Sequence, residues 1–146
     1  MPTATHTPVR SPKATIEAFF AAFGAGDLDA LVATFAPEAT ITAVRASETP
    51  PNGTAPYGTY HGHDGVRAFV TGLGRAFDTK AFAVDNVVGG DGAIAFANGS
   101  FTHILRTTGR SFESDWALMC RVEDGLIVEY HFYEDSAAYL EAASDE

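Results

Sequence analysis

The chain has few of the residues on which disulfide-rich or metal-binding proteins depend. Its single cysteine, Cys120, cannot form an internal disulfide, and one cysteine excludes a zinc site built from cysteines. Low cysteine use is typical of a reducing compartment, so we expect a cytoplasmic protein. No apolar run approaches the roughly 20 residues that a membrane span needs, and the first residues lack the apolar segment of a signal peptide.

Basic residues are also scarce. Nine Lys and Arg stand against nineteen Asp and Glu, which gives a net charge of −10. Ten of these acids lie from Glu113 onward, where Arg121 is the only base. Because an acidic chain repels phosphate groups, we predict no nucleic-acid partner and no docking on an anionic membrane.

Apolar and aromatic residues, in contrast, are plentiful. Hydrophobic residues make up 46% of the chain and aromatic residues 12%, enough for a sizeable core without covalent links. A length of 146 residues favours one domain. We predict a flexible, Pro- and Thr-rich tail over residues 1–11 and a single domain over residues 12–143.

Helix signals dominate the start of the predicted domain. Ser11 is a suitable N-cap, the next residue is proline, and apolar residues then recur at helical spacing as far as Phe23. Gly24 and Gly26 should end this helix. Asp27 can cap a second, short helix that ends at Pro37. Residues 39–44 alternate in polarity and predict a strand.

Residues 47–60 contain three prolines, two glycines and an Asn-Gly pair, which disfavour regular structure over most of the segment. Long loops in compact domains often form the rim or lid of a site. Tyr57 and Tyr60 lie at the far end of this loop. They either anchor the loop or contribute hydroxyl groups to a site.

A third helix is predicted from a cap at Asp64 to about Phe77, with an apolar residue at every third or fourth position. His61 and His63 stand just before it. Neither has a third ligand at metal-binding spacing, so we interpret both as turn and cap residues rather than as a metal site.

From residue 81 the pattern changes to strict alternation, which indicates strands. We predict strands over residues 81–88 and 93–106, then two long strands from Arg110 joined by a turn at residues 123–125. A short C-terminal helix begins at Asp135. Helices followed by a strand meander predict an α+β fold, in which a curved antiparallel sheet wraps around the N-terminal helices.

Strand pairing predicts which side chains face the interior. If Thr108 and Gly109 are the central turn residues, the two strands pair in a register that alternates between two faces. The more apolar face should be the interior. It would hold three cross-strand pairs: His103 with Ser114, Phe101 with Trp116, and Gly99 with Leu118.

The register of the last hairpin is open. A three-residue turn over residues 123–125 places Tyr130, Phe132 and Glu134 inside, with Leu118 opposite Tyr130. A two-residue turn at Asp124-Gly125 instead points three residues inward, namely Glu129, His131 and Tyr133. The hydrophobic pattern favours the first arrangement.

Two segments, YHGHDGVRAFVTGL and EDGLIVEYHFYEDSAAYLEA, together with the helix-helix-strand start, resemble the SnoaL-like branch of the nuclear-transport-factor-2-like superfamily. The resemblance covers residues 12–143. It implies a cone-shaped α+β barrel with a deep apolar pocket, and often a homodimer formed through the sheet. It also implies a cofactor-free isomerase, cyclase, dehydratase or hydrolase.

The resemblance also indicates where the acids of related enzymes would fall. The inward acid of the epoxide hydrolases falls at Phe132, and the second carboxyl of the ketosteroid isomerases falls at about Leu118. Both positions are apolar here. Glu134 stands where the family usually has an aromatic residue, and it should point into the cone near the mouth.

General acid–base chemistry in a dry pocket needs polar groups on an apolar wall. As catalytic candidates we predict His103, Glu134 and Tyr60, and we interpret His131 as exposed or at a dimer interface. We predict no metal and no cofactor. Residues expected to bind a substrate are Tyr57, Phe101, Trp116, Leu118, Tyr130 and Phe132.

Two functions fit these predictions. The first is a cofactor-free enzyme that acts on a small apolar, oxygenated molecule. The second is a protein that binds such a molecule without chemistry. A carboxylate or histidine within hydrogen-bond reach of a tyrosine or second acid, deep in the pocket, would favour the enzyme.

Overall fold

A computed structural model describes residues 9–44, 56–90 and 92–144. Within them the chain forms an α+β fold of four helices and six strands. The helices are α1 (Pro12–Ala25), α2 (Leu28–Val32), α3 (Gly62–Ala76) and α4 (Ser136–Ala143). The strands are β1 (Phe35–Ala43), β2 (Gly58–His61), β3 (Phe77–Gly89), β4 (Ile94–Leu105), β5 (Ser111–Glu123) and β6 (Leu126–Glu134).

The strands form one curved sheet in the order β2-β1-β6-β5-β4-β3. Neighbouring strands are antiparallel except for β1 and β6, which run parallel. Within the described residues the edge strands β2 and β3 do not pair, so the sheet stays open. The prediction of an α+β fold with a curved sheet around the N-terminal helices is confirmed.

Helix α1 lies in the concave face of the sheet. Ser11 caps it, as predicted, by accepting a hydrogen bond from the Ala14 amide. Of the two glycines predicted to end it, Gly26 does so in the left-handed conformation, whereas Gly24 lies within the helix. Phe19 packs on Phe35 and Tyr130, with ring centroids 5.8 and 5.3 Å away. The aromatic residues of α1 therefore join the core to the sheet.

The second helix is shorter than predicted. Asp27 caps it, but it ends at Val32, and Pro37 lies within β1. The pairing of β1 with β6 shifts register between Phe35 and Thr40. A proline, which lacks an amide hydrogen, is tolerated at such an irregularity, so here it marks a bulge rather than the end of a helix.

The segment after the predicted loop is also more regular than expected. Of residues 47–60, those up to 55 lie outside the described residues, and β2 pairs with β1 over the last three of the segment. The predicted cap at Asp64 is wrong, because His61 takes the N-cap position and Asp64 lies in the first turn. The Nε2 atom of His63 lies 2.8 Å from the carbonyl oxygen of Phe35, within hydrogen-bond distance.

The first hairpin keeps the predicted faces but not the predicted pairs. Its register is displaced by two residues, so Phe101 pairs with Ser114 and Gly99 with Trp116. Leu105 and Arg110 close a loop longer than predicted, which causes the displacement. A shift of two preserves the alternation, so all six residues predicted to face inward are buried.

The last hairpin combines both predicted alternatives. Asp124 and Gly125 have positive φ angles, as in a two-residue turn. The register then shifts by one residue, because Val122 pairs with Ile127 whereas Arg121 pairs with Glu129. The extra residue is a β-bulge that restores the predicted inward positions, and it places Leu118 opposite Phe132 rather than Tyr130. The inward residues are Tyr130, Phe132 and Glu134.

Candidate active site

A cavity opens between α1, α3 and the concave face of the sheet. The space in it that the centre of a water-sized molecule can occupy is about 50 Å³, so the cavity is narrow. Its wall is mainly aromatic and aliphatic, with a few polar groups. The aromatic residues are Phe19, Phe20, Phe23, Tyr57, Phe69, Phe82, Phe101, Tyr130 and Phe132, and the other polar side chains are Thr79, His103 and Glu134.

Glu134 and Tyr57 form a hydrogen-bonded pair in this wall. The Tyr57 hydroxyl donates to Oε2 of Glu134 over 2.6 Å, a short distance of the kind found when the acceptor is a carboxylate. Tyr57 is 3% exposed. A partly buried acid is therefore held by a strong donor that is itself buried.

Burial dominates the electrostatics of this pair. Loss of water raises the pKa of Glu134 to about 7, the hydrogen bond from Tyr57 opposes the rise, and the nearby charge of Asp135 adds to it. Burial, with the charge of Glu134 as a second cause, raises the pKa of the Tyr57 hydroxyl. Tyr57 thus remains a donor, whereas Glu134 can gain or lose a proton near neutral pH.

The end of β6 fixes the position of Glu134. Glu134 pairs with Trp116 at the last position of the β5–β6 ladder. The next residue, Asp135, donates its amide to the Ser114 hydroxyl over 2.9 Å, and its side chain caps α4. Tyr139 of α4 packs against the ring of Tyr57, with centroids 5.0 Å apart. Both members of the pair are therefore anchored by neighbouring structure.

His103 is the second ionisable group of the wall. Its ring is stacked between Phe77 and Phe101, with centroids 4.5 and 4.0 Å away. Its Nδ1 atom lies 3.0 Å from the Thr79 hydroxyl. His103 is 8% exposed, and burial lowers its pKa to about 4. At neutral pH the imidazole is therefore uncharged.

Not every predicted site residue reaches the cavity. Tyr60 lies outside its wall, and the Tyr60 hydroxyl donates to the Pro56 carbonyl over 2.7 Å. Trp116 lies one layer behind the wall, where it stacks on Phe132 with centroids 5.4 Å apart. Leu118 is in the core. Of the nine predicted site residues, the six in the wall are Tyr57, Phe101, His103, Tyr130, Phe132 and Glu134.

Sequence reasoning missed Thr79 as a site residue. Thr79 pairs directly with His103 across β3 and β4. The predicted third helix extended to Phe77 and the following strand began at residue 81, which left Thr79 unassigned. The apolar alternation of β3 begins only after a bulge between Thr79 and Ala81, so a simple period-two pattern does not include Thr79.

The described residues form neither a metal site nor an activated cysteine nucleophile. Among the described residues, no three His, Cys, Asp or Glu side chains are placed to hold a metal ion. Cys120 is fully buried, and burial raises the pKa of its thiol, so it stays protonated. No helix within the described ranges is long and apolar enough to span a membrane.

An open, curved sheet around helices, with an aromatic cavity that holds an acid and a neutral histidine, defines an α+β protein of the nuclear-transport-factor-2-like class. Solved structures agree. An NTF2-like protein from Burkholderia thailandensis is 28% identical, with a TM-score of 0.79 over 92% of this chain and 98% of that one. IdmH from Streptomyces antibioticus, a proposed polyketide cyclase, is 26% identical, with a TM-score of 0.70 over 92% and 99%.

A family model for the SnoaL-like domain matches residues 16–130. The chain therefore belongs to the SnoaL-like family. Among curated proteins it is similar to the patulin biosynthesis cluster protein F of Penicillium expansum, with 36% identity over 89 residues. That match covers 58% of this chain and 44% of the relative, so the chain matches less than half of the relative's length.

Proposed function

We propose that the protein catalyses proton transfer on a small, apolar, oxygenated molecule bound in the aromatic cavity. Glu134 would be the general base, and Tyr57 would hold its carboxylate in place. The observation that carries this proposal is the short hydrogen bond between Tyr57 and a partly buried Glu134 in the cavity wall. An acid–hydroxyl pair of this kind favours an enzyme over a simple binding protein.

The chemistry begins with a proton on a carbon next to a carbonyl group. The Glu134 carboxylate takes this proton and becomes a carboxylic acid, while the electron pair of the broken bond moves to the carbonyl oxygen. With a pKa of about 7, Glu134 is partly ionised at neutral pH and is a stronger base than an ordinary carboxylate. Return of the proton to another atom gives an isomer.

His103 would bind the oxygen on which the charge develops. A neutral imidazole can donate one hydrogen bond without placing a positive charge in the apolar cavity. The aromatic wall excludes water and presents flat faces to an unsaturated substrate. Cyclisation and dehydration of polyketide-like molecules both start from such an enolate, which agrees with the similarity to IdmH.

Exchange of carbon-bound hydrogen in heavy water tests this proposal directly. Aryl methyl ketones and linear diketones are incubated with the protein, and deuterium uptake is followed by mass spectrometry. We expect Glu134→Gln to slow the exchange by about 10²–10⁴-fold, the range for loss of a general base. The rate of the unmodified protein should rise with pH through about 7, because only the carboxylate is active.

Glu129→Gln is the matched control, because Glu129 lies on the same strand but is exposed beside Arg121. It should leave the exchange rate unchanged. If ketones bind to the unmodified protein but exchange no faster than in buffer, the acid–base proposal fails. The binding-only alternative would then be the better description.

We also infer that the outer face of the sheet pairs with a second copy of the chain. Three large apolar residues there are solvent-exposed: Val88 by 59%, Phe96 by 54% and Tyr133 by 47%. Val88 pairs with Phe96, and Phe96 pairs with Met119, so the patch crosses three strands. Sedimentation should show a dimer that Phe96→Glu dissociates, and a monomeric unmodified protein would contradict the inference.

A further inference from the structure

The imidazole of His103 has one nitrogen with a partner and one without. Among the described residues, the ring of His103 has one hydrogen-bond partner, the Thr79 hydroxyl, which lies at Nδ1. No fully buried side-chain nitrogen or oxygen there lacks a partner. Because Nε2 has no partner among the described residues, it is not fully buried, and the ring that carries it lines the cavity. Nε2 is therefore available to a bound molecule.

Stacking alone does not determine where Nε2 points. The rings of Phe77 and Phe101 on either side hold the plane of the imidazole, at interplanar angles of 5° and 24°. A half-turn of the imidazole within this stack exchanges the two edges of the ring and keeps the same stacking area. The contact with Thr79 distinguishes these two orientations, because only one of them places Nδ1 against the hydroxyl.

The hydroxyl can serve either form of the neutral ring. If Thr79 donates to Nδ1, the ring proton is on Nε2, which then donates to a ligand. If Thr79 accepts from Nδ1, Nε2 is bare and accepts from a ligand. Thr79 has no other hydrogen-bond partner among the described residues, so its hydroxyl is free to rotate between the two roles.

We propose that Thr79 is a positioning residue that directs Nε2 of His103 toward an oxygen of the ligand and lets it bind that oxygen as a carbonyl or as an enol. This inference deepens the proposed function, since a substrate that loses a proton beside a carbonyl passes between these two forms. It assigns a specific task to a threonine on an edge strand. The ligand class is an apolar molecule with a ketone or enol oxygen.

The position of Thr79 makes the inference testable without damage to the core. Thr79 is exposed, in a surface groove next to the cavity, and it lines both spaces. Thr79→Val keeps the shape and removes the hydroxyl, and Thr79→Ser keeps the hydroxyl. Thr102→Val is the matched control, because Thr102 is adjacent to His103 in sequence but lies on the other face of the sheet.

The first measurement is nuclear magnetic resonance of ring-nitrogen-labelled histidine in the full chain, without ligand. We expect the His103 ring signals to move in Thr79→Val and to stay in place in Thr79→Ser and Thr102→Val. Unchanged ring signals in Thr79→Val would overturn the inference. This measurement needs no substrate, so it does not depend on any activity.

The second measurement compares the binding of naphthol and naphthalene, which differ by one hydroxyl group, through quenching of Trp116 fluorescence. The unmodified protein should prefer naphthol by about tenfold, as one hydrogen bond provides. Thr79→Val should lose most of this preference, and Thr79→Ser should keep it. Equal preference in Thr79→Val and the unmodified protein would overturn the inference.

The two proposals fail in different ways. If Thr79→Val changes the ring signals and the naphthol preference while no ketone exchanges hydrogen, the acid–base function is wrong and the role of Thr79 stands. If Glu134→Gln abolishes exchange while Thr79→Val changes neither measurement, the role of Thr79 is wrong and the function stands.

Discussion

Two polar pairs share the wall of one aromatic cavity, and they differ in the sign of the charge that burial suppresses. In the pair of Glu134 and Tyr57, burial raises the pKa of the acid to about 7. In the pair of His103 and Thr79, burial lowers the pKa of the base to about 4. Loss of hydration on burial is the main cause of both shifts, so the cavity favours the neutral form of an acid and of a base alike.

The difference between the pairs lies in the partner. Tyr57 donates its hydroxyl to Glu134, so it stabilises the charged form of Glu134 and keeps the pKa of Glu134 from rising further. Thr79 can donate or accept, so it serves the neutral ring of His103 in either form. One pair is suited to exchange a proton near neutral pH, and the other is suited to remain uncharged.

The largest expected effect is on the pH dependence of stability. Folded Glu134 holds its proton between its usual pKa of 4.5 and about 7, where the unfolded chain loses it, so stability falls as the pH rises through this window. Glu134→Gln should remove this fall and raise the free energy of unfolding by up to about 3 kcal/mol near pH 8, but not near pH 4.

His103 should have the opposite effect. Between its usual pKa of 6.5 and about 4, the unfolded chain binds a proton that the folded chain excludes, so stability falls as the pH drops. His103→Gln should flatten this slope, again by up to about 3 kcal/mol. Urea unfolding across the pH range measures the stability of both variants. If the two substitutions changed the pH dependence of stability in the same direction, the contrast between the two pairs would be wrong.

A smaller effect is expected for Tyr57→Phe. Loss of the hydroxyl removes the hydrogen bond that favours ionised Glu134, so the pKa of Glu134 should rise further, by about one unit. Carbon-labelled carboxyl resonance spectra report this pKa without any substrate, and the pH midpoint of ketone exchange should move with it. If the pH midpoint of exchange does not move in Tyr57→Phe, the hydrogen bond from Tyr57 does not set the pKa of the catalytic group.

The smallest effect is expected for Tyr60→Phe. The Tyr60 hydroxyl bonds to a backbone carbonyl outside the cavity wall, so its loss should lower stability by about 1 kcal/mol and leave ketone exchange within about twofold. Thermal unfolding and the exchange assay measure the two quantities on one sample. A large loss of exchange at full stability would restore Tyr60 as a catalytic candidate.

Much of the fold was predictable because local signals agreed with each other. The caps at Ser11 and Asp27 and the glycine at residue 26 set helix ends that tertiary contacts do not alter. Pro37 misled the prediction, because a proline can end a helix or occupy a bulge, and only the pairing of β1 with β6 distinguishes these cases.

The site was less predictable, because it depends on how strands pair. The inward positions of His103 and Glu134 followed from alternation, which is insensitive to a shift of two residues. The partner of each residue was not predictable in this way. Tyr57 meets Glu134 from the far end of a long loop, and Thr79 meets His103 beside a bulge, so no sequence spacing connects either pair.

The bulge beside Arg121 has a consequence for how this cavity could change its chemistry. It adds a single residue, Val128, between the turn and the inward-facing end of β6. If the bulge closed and Val128 paired with Arg121, the inside and outside of the strand would be reversed, so that His131 and Tyr133, already hydrogen-bonded to each other over 3.1 Å, would replace Glu134 in the cavity. In such a fold, a one-residue change of register exchanges an acid for an imidazole without any substitution.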